Sequence, residues 1–411
     1  MTPPKAAMTT DPASPIESSA ITLAATLTIQ SLVSMSLLTL PAIAPLIAGL
    51  LGIPAAYVGT YVAIAYVGAM IASLLSGSAT RRFGAIRASQ AGLCICALGL
   101  ALCTVESVPA MAVGALLVGL GYGPITPASS HLLARTTPAH RMSFVFSVKQ
   151  TGVPLGGVLA GLIVPGLAQW IGWQAAFLAV AAANLCCALM IQPLRAPLDA
   201  DRDPSSRLSA GSGLAGPLRL VFSQRSLAVL AGVSFLFSIA QLSLTSYLVT
   251  FLHQDLGMEL VAAGLALSIS QAAGVGGRLL WGYVSDHYLG AVRTLMGLSL
   301  LIALCALATP LLRLLDSQLI VLVVLCLFGG SAIGWNGVYL AEVARQAPAG
   351  QASIATAGTL SMTFFGVVVG PPIFGWIASL SGSFGFAYAT LLLPAGVCLM
   401  LLWRYRSAFA R

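Results

Sequence analysis

Twelve apolar runs, most of them near the ~20 residues that cross a ~30 Å hydrocarbon core, constrain this chain more than any other feature. They fall at 21–49, 57–77, 88–108, 110–134, 143–165, 169–193, 227–252, 260–281, 291–312, 318–341, 353–377 and 385–404. Lipid offers the backbone no hydrogen-bond partner, so runs of this length read as helices, whose donors and acceptors are satisfied within the segment. Only 7% of the residues are charged, against about 25% in a soluble domain. The fold class expected is an all-α membrane protein of twelve transmembrane helices.

The net charge of +8 suggests a nucleic-acid partner until its placement is read. With the N-terminus inside, the inner segments hold Lys5, Arg81, Arg82, Arg87, Arg135, Arg141, Arg195, Arg202, Arg207, Arg219, Arg225, Arg293, Arg345, Arg404, Arg406 and Arg411. The outer segments hold Arg313 against Glu106, Asp255, Glu259 and Asp316. That asymmetry is the positive-inside pattern. It predicts an integral protein of a bacterial-type inner membrane with both termini cytoplasmic, and it accounts for the basic balance without nucleic acid. No run carries the flanks of a removable signal peptide. The eight cysteines all lie within runs and read as small buried hydrophobes.

The longest polar interruption, Gln192–Gln224, is rich in Pro, Ser, Gly and Asp and divides the runs six and six. The organisation expected is a disordered tail at 1–20, a six-helix bundle at 21–193, a flexible cytoplasmic linker at 194–225, a second six-helix bundle at 226–404 and a tail at 405–411. The halves echo each other. Arg135-Thr-Thr-Pro138 follows the fourth run and Arg345-Gln-Ala-Pro348 the tenth. Gly77-Ser-Ala-Thr-Arg81-Arg82-Phe-Gly84, with Arg87, follows the second run. Gly282-Tyr-Val-Ser-Asp286-His287-Tyr-Leu-Gly290, with Arg293, follows the eighth. Parallel repetition of a six-helix unit suits two bodies rocking about a site at their interface.

Those segments resemble the G-x-x-x-D-R-x-G-R loop of major facilitator superfamily transporters. The resemblance covers residues 21–404 and implies two pseudo-symmetric bundles, with Gly77, Arg82, Gly84, Gly282, Asp286 and Arg293 as gating residues. The sequence departs from the pattern where Arg81 takes the acidic position of the first copy and where one extra residue precedes Gly290. Of the two latch carboxylates that the family uses, the loops retain Asp286 alone.

Two cations sit where a bilayer opposes them, at a cost of roughly 2.5–3.5 kcal/mol each on insertion scales. Arg278 precedes Leu-Leu-Trp-Gly282 and reads as one turn above the inner loop. Either it snorkels to the surface or it presents a fork for a carboxylate. Its place four residues before the motif glycine is similar to that of the substrate arginine in oxalate/formate exchangers and monocarboxylate transporters. The lysine that the former add in their eleventh helix has no counterpart at Thr359. Lys149, about 12 Å along its helix from Arg141, either bonds carbonyls freed near Pro154 or faces Arg278 across a cavity. The stretch from Gly152 to Gly157 reads as close helix packing, and it matches an antiporter signature only loosely.

Gln150, Gln241, Gln271, Asn336 and Tyr247 are further substrate-binding candidates, because buried amides and hydroxyls need partners. Gln30, Ser34, Thr245, Tyr61 and Tyr122 mark other polar faces. No Asp or Glu lies mid-run, which disfavours export of cationic drugs. His131 and Glu342 are candidate proton carriers, though Glu342 also suits an Arg345 partner three residues on. No phosphate-cradling loop, metal spacing or acyl-transfer triad is present. The expectation is no enzyme and no cofactor or metal: a monomeric carrier of a small organic anion, a monocarboxylate in the first place, by proton symport. Anion exchange and export of neutral or lipophilic drugs are the alternatives.

Overall fold

The computed structural model describes residues 15–138, 141–206, 208, 215–315, 317–348 and 351–409. Twelve helices are long and apolar enough to cross a membrane: α1 Ser19–Leu38, α2 Ala55–Phe83, α3 Ala85–Cys103, α4 Val108–Thr136, α5 Phe144–Ile171, α6 Trp173–Leu198, α7 Arg225–Gln254, α8 Leu260–Leu289, α9 Ala291–Leu314, α10 Gln318–Gln346, α11 Ile354–Ser381 and α12 Phe384–Arg404. They alternate in direction and form two six-helix bundles. The described arginines other than Arg278 and Arg313 gather at one end, here the arginine-rich face; the other end is the far face.

Three expectations about element boundaries change. The run 21–49 is not one helix. It ends at Leu38, and Pro41–Leu51 forms a separate short helix at the far face. Proline lacks the N–H that would continue the ladder, and Pro41 and Pro45 both stand at helix starts. The motif glycines Gly77 and Gly282 are not loop residues, since each lies inside its helix with open space where a Cβ would go. The sharp turns come later, at Gly84 (φ +97°) and Gly290 (φ +74°), where a side chain would be strained. Arg278 therefore stands about 16 Å from the end of α8, deeper than one turn. Its distance from that end rules out simple snorkelling.

The linker is docked at both ends. Asp199, 3% exposed, accepts hydrogen bonds from the backbone N–H groups of Ile86 (2.8 Å) and Arg87 (3.1 Å) at the start of α3. It satisfies free donors there and complements the helix dipole. A Cβ at Gly84 would collide with the Asp199 side chain. Asp201 pairs with His131 (2.7 Å) and Arg135 (2.5 Å) on α4. Slight burial works to raise the Asp201 carboxyl, but the His131 hydrogen bond and the Arg135 charge outweigh it and hold the group below its ordinary value. Farther on, the helix Ala215–Ser223 packs on α11, where Gly358 leaves room for Pro217 and Val221.

The bundles meet along α5 against α8 and α2 against α11. In lipid, van der Waals fit rather than the hydrophobic effect holds helices together, so small residues mark the closest contacts. On α5, Gly157 faces Gln271 and Gly161 meets the Gly264 carbonyl; on α8, Gly264 in turn receives Pro165. At the far face the Tyr247 hydroxyl joins three elements. It lies 2.6 Å from the Ala56 carbonyl and 2.9 Å from the Pro371 carbonyl, sharing its proton between them, and accepts from the Gly59 N–H at 3.0 Å. Glycines at 59 and 375 make room for it. Toward the arginine-rich face, by contrast, the ends of α4, α5 and α10 pack chiefly within their own bundles. The molecule is thus closed at its far face.

Two substitutions test these contacts. Asp199→Ala should lower stability by about 1 kcal/mol, the usual cost of a lost cap, read as a lower melting temperature of the purified protein; an unchanged transition would show that the linker contact carries no weight. Tyr247→Phe keeps the ring and removes the hydroxyl. With about 1 kcal/mol lost, far-face opening should rise roughly fivefold, measured as faster labelling of a cysteine placed beside Gly59.

Candidate functional site

Helices α5 and α8 carry the two cations to the bundle interface because their glycine-bearing faces must meet there. Arg278 is partly buried and bridges the halves. Its Nε donates to the Ile333 carbonyl on α10 (3.2 Å) and its Nη1 to the Gln150 carbonyl on α5 (2.5 Å). Gln150 thus meets Arg278 through its backbone. Arg278 makes no ion pair among the described residues.

Lys149 is 1% exposed, and its Nζ has no hydrogen-bond partner. It does not bond carbonyls near Pro154. The neighbouring charge is Arg278, close enough to repel it. Like charges held together in a medium of low dielectric are costly, and a buried charge without a partner costs more than a buried pair. The described acidic residues all stand at helix ends or in connections; Asp286 forms no ion pair, and Glu342 holds Arg345 (2.9 Å) and Gln346 (2.8 Å). The interior therefore presents unneutralised positive charge.

A small cavity of about 30 Å³ lies between the bundles on the same helices. Leu37, Leu38, Val153, Leu242 and Ile333 form its apolar wall, with Tyr66 and Tyr122 beside Ser34 and the C-terminal bundle's Gln241, Thr245 and Gln271 opposite. Tyr66 also meets Phe364 of α11, ring centroids 6.0 Å apart. Gln271 Nε2 donates to the Thr245 hydroxyl (3.3 Å). The Gln241 side-chain oxygen accepts from Trp335 Nε1 (2.9 Å) and Asn336 Nδ2 (3.3 Å). Gln30 accepts from Thr126 (3.1 Å) and reaches Ser34 (3.4 Å). The cavity lining thus carries neutral polar groups and an apolar wall, and Arg278 reaches its edge through the Ile333 carbonyl.

The structure thus gathers Arg278, Lys149, Gln150, Gln241, Gln271 and Asn336 around one region. Tyr247 lies apart, with its hydroxyl committed to the far-face closure. Of the gating candidates, Arg82 rests over the Phe83 ring (5.5 Å). Arg293 lines a crevice with Glu342 and Arg345 at the arginine-rich face. Gly84 carries the turn that Asp199 caps. Sequence reasoning missed Asp199, whose partner lies 113 residues away, and the hold of Trp335 on Gln241. A carboxylate absent from the first motif copy was the only signal of the former.

Replacing Lys149 with Met keeps most of the volume and removes an unpaired buried charge. The expected outcome is a higher melting temperature, since a buried charge without a partner works against the fold. A lower melting temperature would mean that Lys149 has a structural partner.

Comparison with known proteins places this geometry. Residues 25–361 match the family model described as Major Facilitator Superfamily. The chain is 23% identical to the benzoate transport protein of Acinetobacter baylyi over 86% of its own length and 80% of that protein's. It is 25% identical to the gentisate transporter of Corynebacterium glutamicum, covering 86% of this chain and 81% of the relative. Among solved structures, a POT family transporter in complex with a thioalcohol-conjugated peptide superposes with a TM-score of 0.76 at 12% identity, over 95% of this chain and 96% of that one. With a single family model spanning most of its length and the same twelve-helix architecture, the chain belongs to the Major Facilitator Superfamily.

Proposed function

We propose that this protein is a secondary active transporter that carries a small organic anion, an aromatic monocarboxylate in the first place, across a bacterial-type inner membrane by alternating access. The observation that carries the reading is the buried, unpartnered Lys149 beside the partly buried Arg278 between the bundles, with no described carboxylate paired to either. An anion that enters supplies the missing charge. The apolar wall beside Tyr66 and Tyr122 suits an aromatic ring, and the relatives named for benzoate and gentisate support that choice. The likeness to oxalate/formate exchangers rests on Arg278 alone.

In this reading Arg278 is the primary carboxylate anchor. Its fork now holds Gln150 of one bundle and Ile333 of the other, so substrate competes for a group that also ties the halves together. Lys149 is the second anchor, and Gln150, Gln241, Gln271 and Asn336 shape the rest of the site. Tyr247, Gly84, Asp286 and Arg293 serve the gates. The arginine-rich face is cytoplasmic by the positive-inside rule, and the closed far face is then the outer one. Of the sequence candidates for a proton carrier, His131 bonds Asp201 and Glu342 pairs with Arg345. In this reading a proton moves with the anion in symport while the bound carboxylate stays ionised against the two cations. The carrier works as a monomer whose two bundles, joined by the docked linker, are the moving bodies.

Arg278→Lys keeps the charge and loses the fork. A charge-assisted second hydrogen bond is worth about 1.5–3 kcal/mol, so the apparent KM for benzoate uptake into proteoliposomes should rise roughly 10- to 100-fold. Unaltered kinetics would sink the anchor role.

A further inference from the structure

We propose that Gln241 is a specificity-determining residue that reads a hydrogen-bond acceptor on the substrate away from its carboxylate, and that Trp335 is the positioning residue that aims it. The inference rests on the anion-transporter reading. An indole N–H donates and never accepts. Trp335 Nε1 points at the Gln241 side-chain oxygen at 2.9 Å, and Asn336 Nδ2 adds a second donor at 3.3 Å. Trp335 is 0% exposed, stacked on Phe237 at 5.2 Å between ring centroids and edge-on to Tyr339 at 5.1 Å, so it has no room to turn.

Turning the Gln241 amide over would set NH2 against an indole N–H, leaving buried donors unpaired, which costs about 1–3 kcal/mol. The orientation is therefore fixed by chemistry. The oxygen belongs to Trp335, and the NH2 is directed away from it, with no protein partner among the described residues. Gln241 lines the small cavity between the bundles, so that NH2 is offered to whatever occupies it. In the anion-transporter reading a substrate then meets two recognition ends: the cations for its carboxylate, and on the cavity wall a neutral donor of fixed aim for a second group. A ring substituent that accepts, such as hydroxyl or methoxy, gains a hydrogen bond there. An amino substituent meets donor with donor. Sites built to pair a particular polar group discriminate strongly against a partner that cannot complete the bond.

The test compares benzoate, 4-methoxybenzoate and 4-aminobenzoate by ligand-induced thermal shift of the purified full-length protein, in the wild type, Trp335→Phe and Gln241→Leu. The wild type should prefer the methoxy acid to the amino acid by roughly fivefold or more, the worth of one neutral hydrogen bond. Trp335→Phe keeps the ring stack but frees the amide, and the ratio should fall to near one whatever the absolute affinities. Gln241→Leu should give the same collapse, and it carries the test if the tryptophan variant does not fold. Binding of all three acids with no preference in the wild type, or a preference that survives both substitutions, overturns the inference alone. No shift from any of the acids overturns the anion-site reading and the inference with it.

Discussion

Everything in this molecule follows from the bilayer's refusal to hydrogen-bond. A backbone that must satisfy itself becomes helix wherever it crosses, and helices that gain nothing by hiding from water must fit closely to associate. The small residues of α5 and α8 supply that fit, with Gly161 and Gly264 each at the other's carbonyl. Close fit there brings Lys149 and Arg278 into one region, because both lie on the same two helices a few turns away. The packing that holds the bundles together also concentrates the charge between them.

That concentration is the central energetic tension. A cation with no partner, beside another cation, works against the fold, and the described interior contains no acid to relieve it. The rest of the chain is conservative by comparison. Three acidic side chains elsewhere are matched: Asp199 on a helix start, Asp201 on His131 and Arg135, Glu342 on Arg345. The molecule pairs several of its acids yet leaves Lys149 unpaired in the interior, and the proposed anion site rests on that contrast.

The linker shows a second economy. The first motif copy carries Arg81 where the family's pattern has an acid, and Asp199 brings a carboxylate to the neighbouring helix start from the far end of the same bundle. Its carboxylate, 2.8 Å from the Ile86 N–H, caps α3 while the chain passes on to the second bundle. Flexibility was the natural reading of a segment rich in Pro, Ser and Gly. Composition reports what a segment cannot bury by itself and is silent about the helix ends it will meet.

Helix number and the six-plus-six division were legible in the sequence, because hydrophobic length is a local quantity that lipid acts on directly. So was the presence of two misplaced cations. Boundaries failed where backbone chemistry overrode hydropathy: proline broke the first run at Pro41, and Gly77 and Gly282 stayed helical while Gly84 and Gly290 turned the chain. Only the tertiary structure decided that Lys149 stands alone, that Arg278 ties two bundles by carbonyls, that Tyr247 bonds across the far face, and that Trp335 donates to Gln241. Each of these depends on what lies opposite a side chain, and in a helical membrane protein the opposite residue belongs to another helix, whose approach is set by packing across the whole bundle.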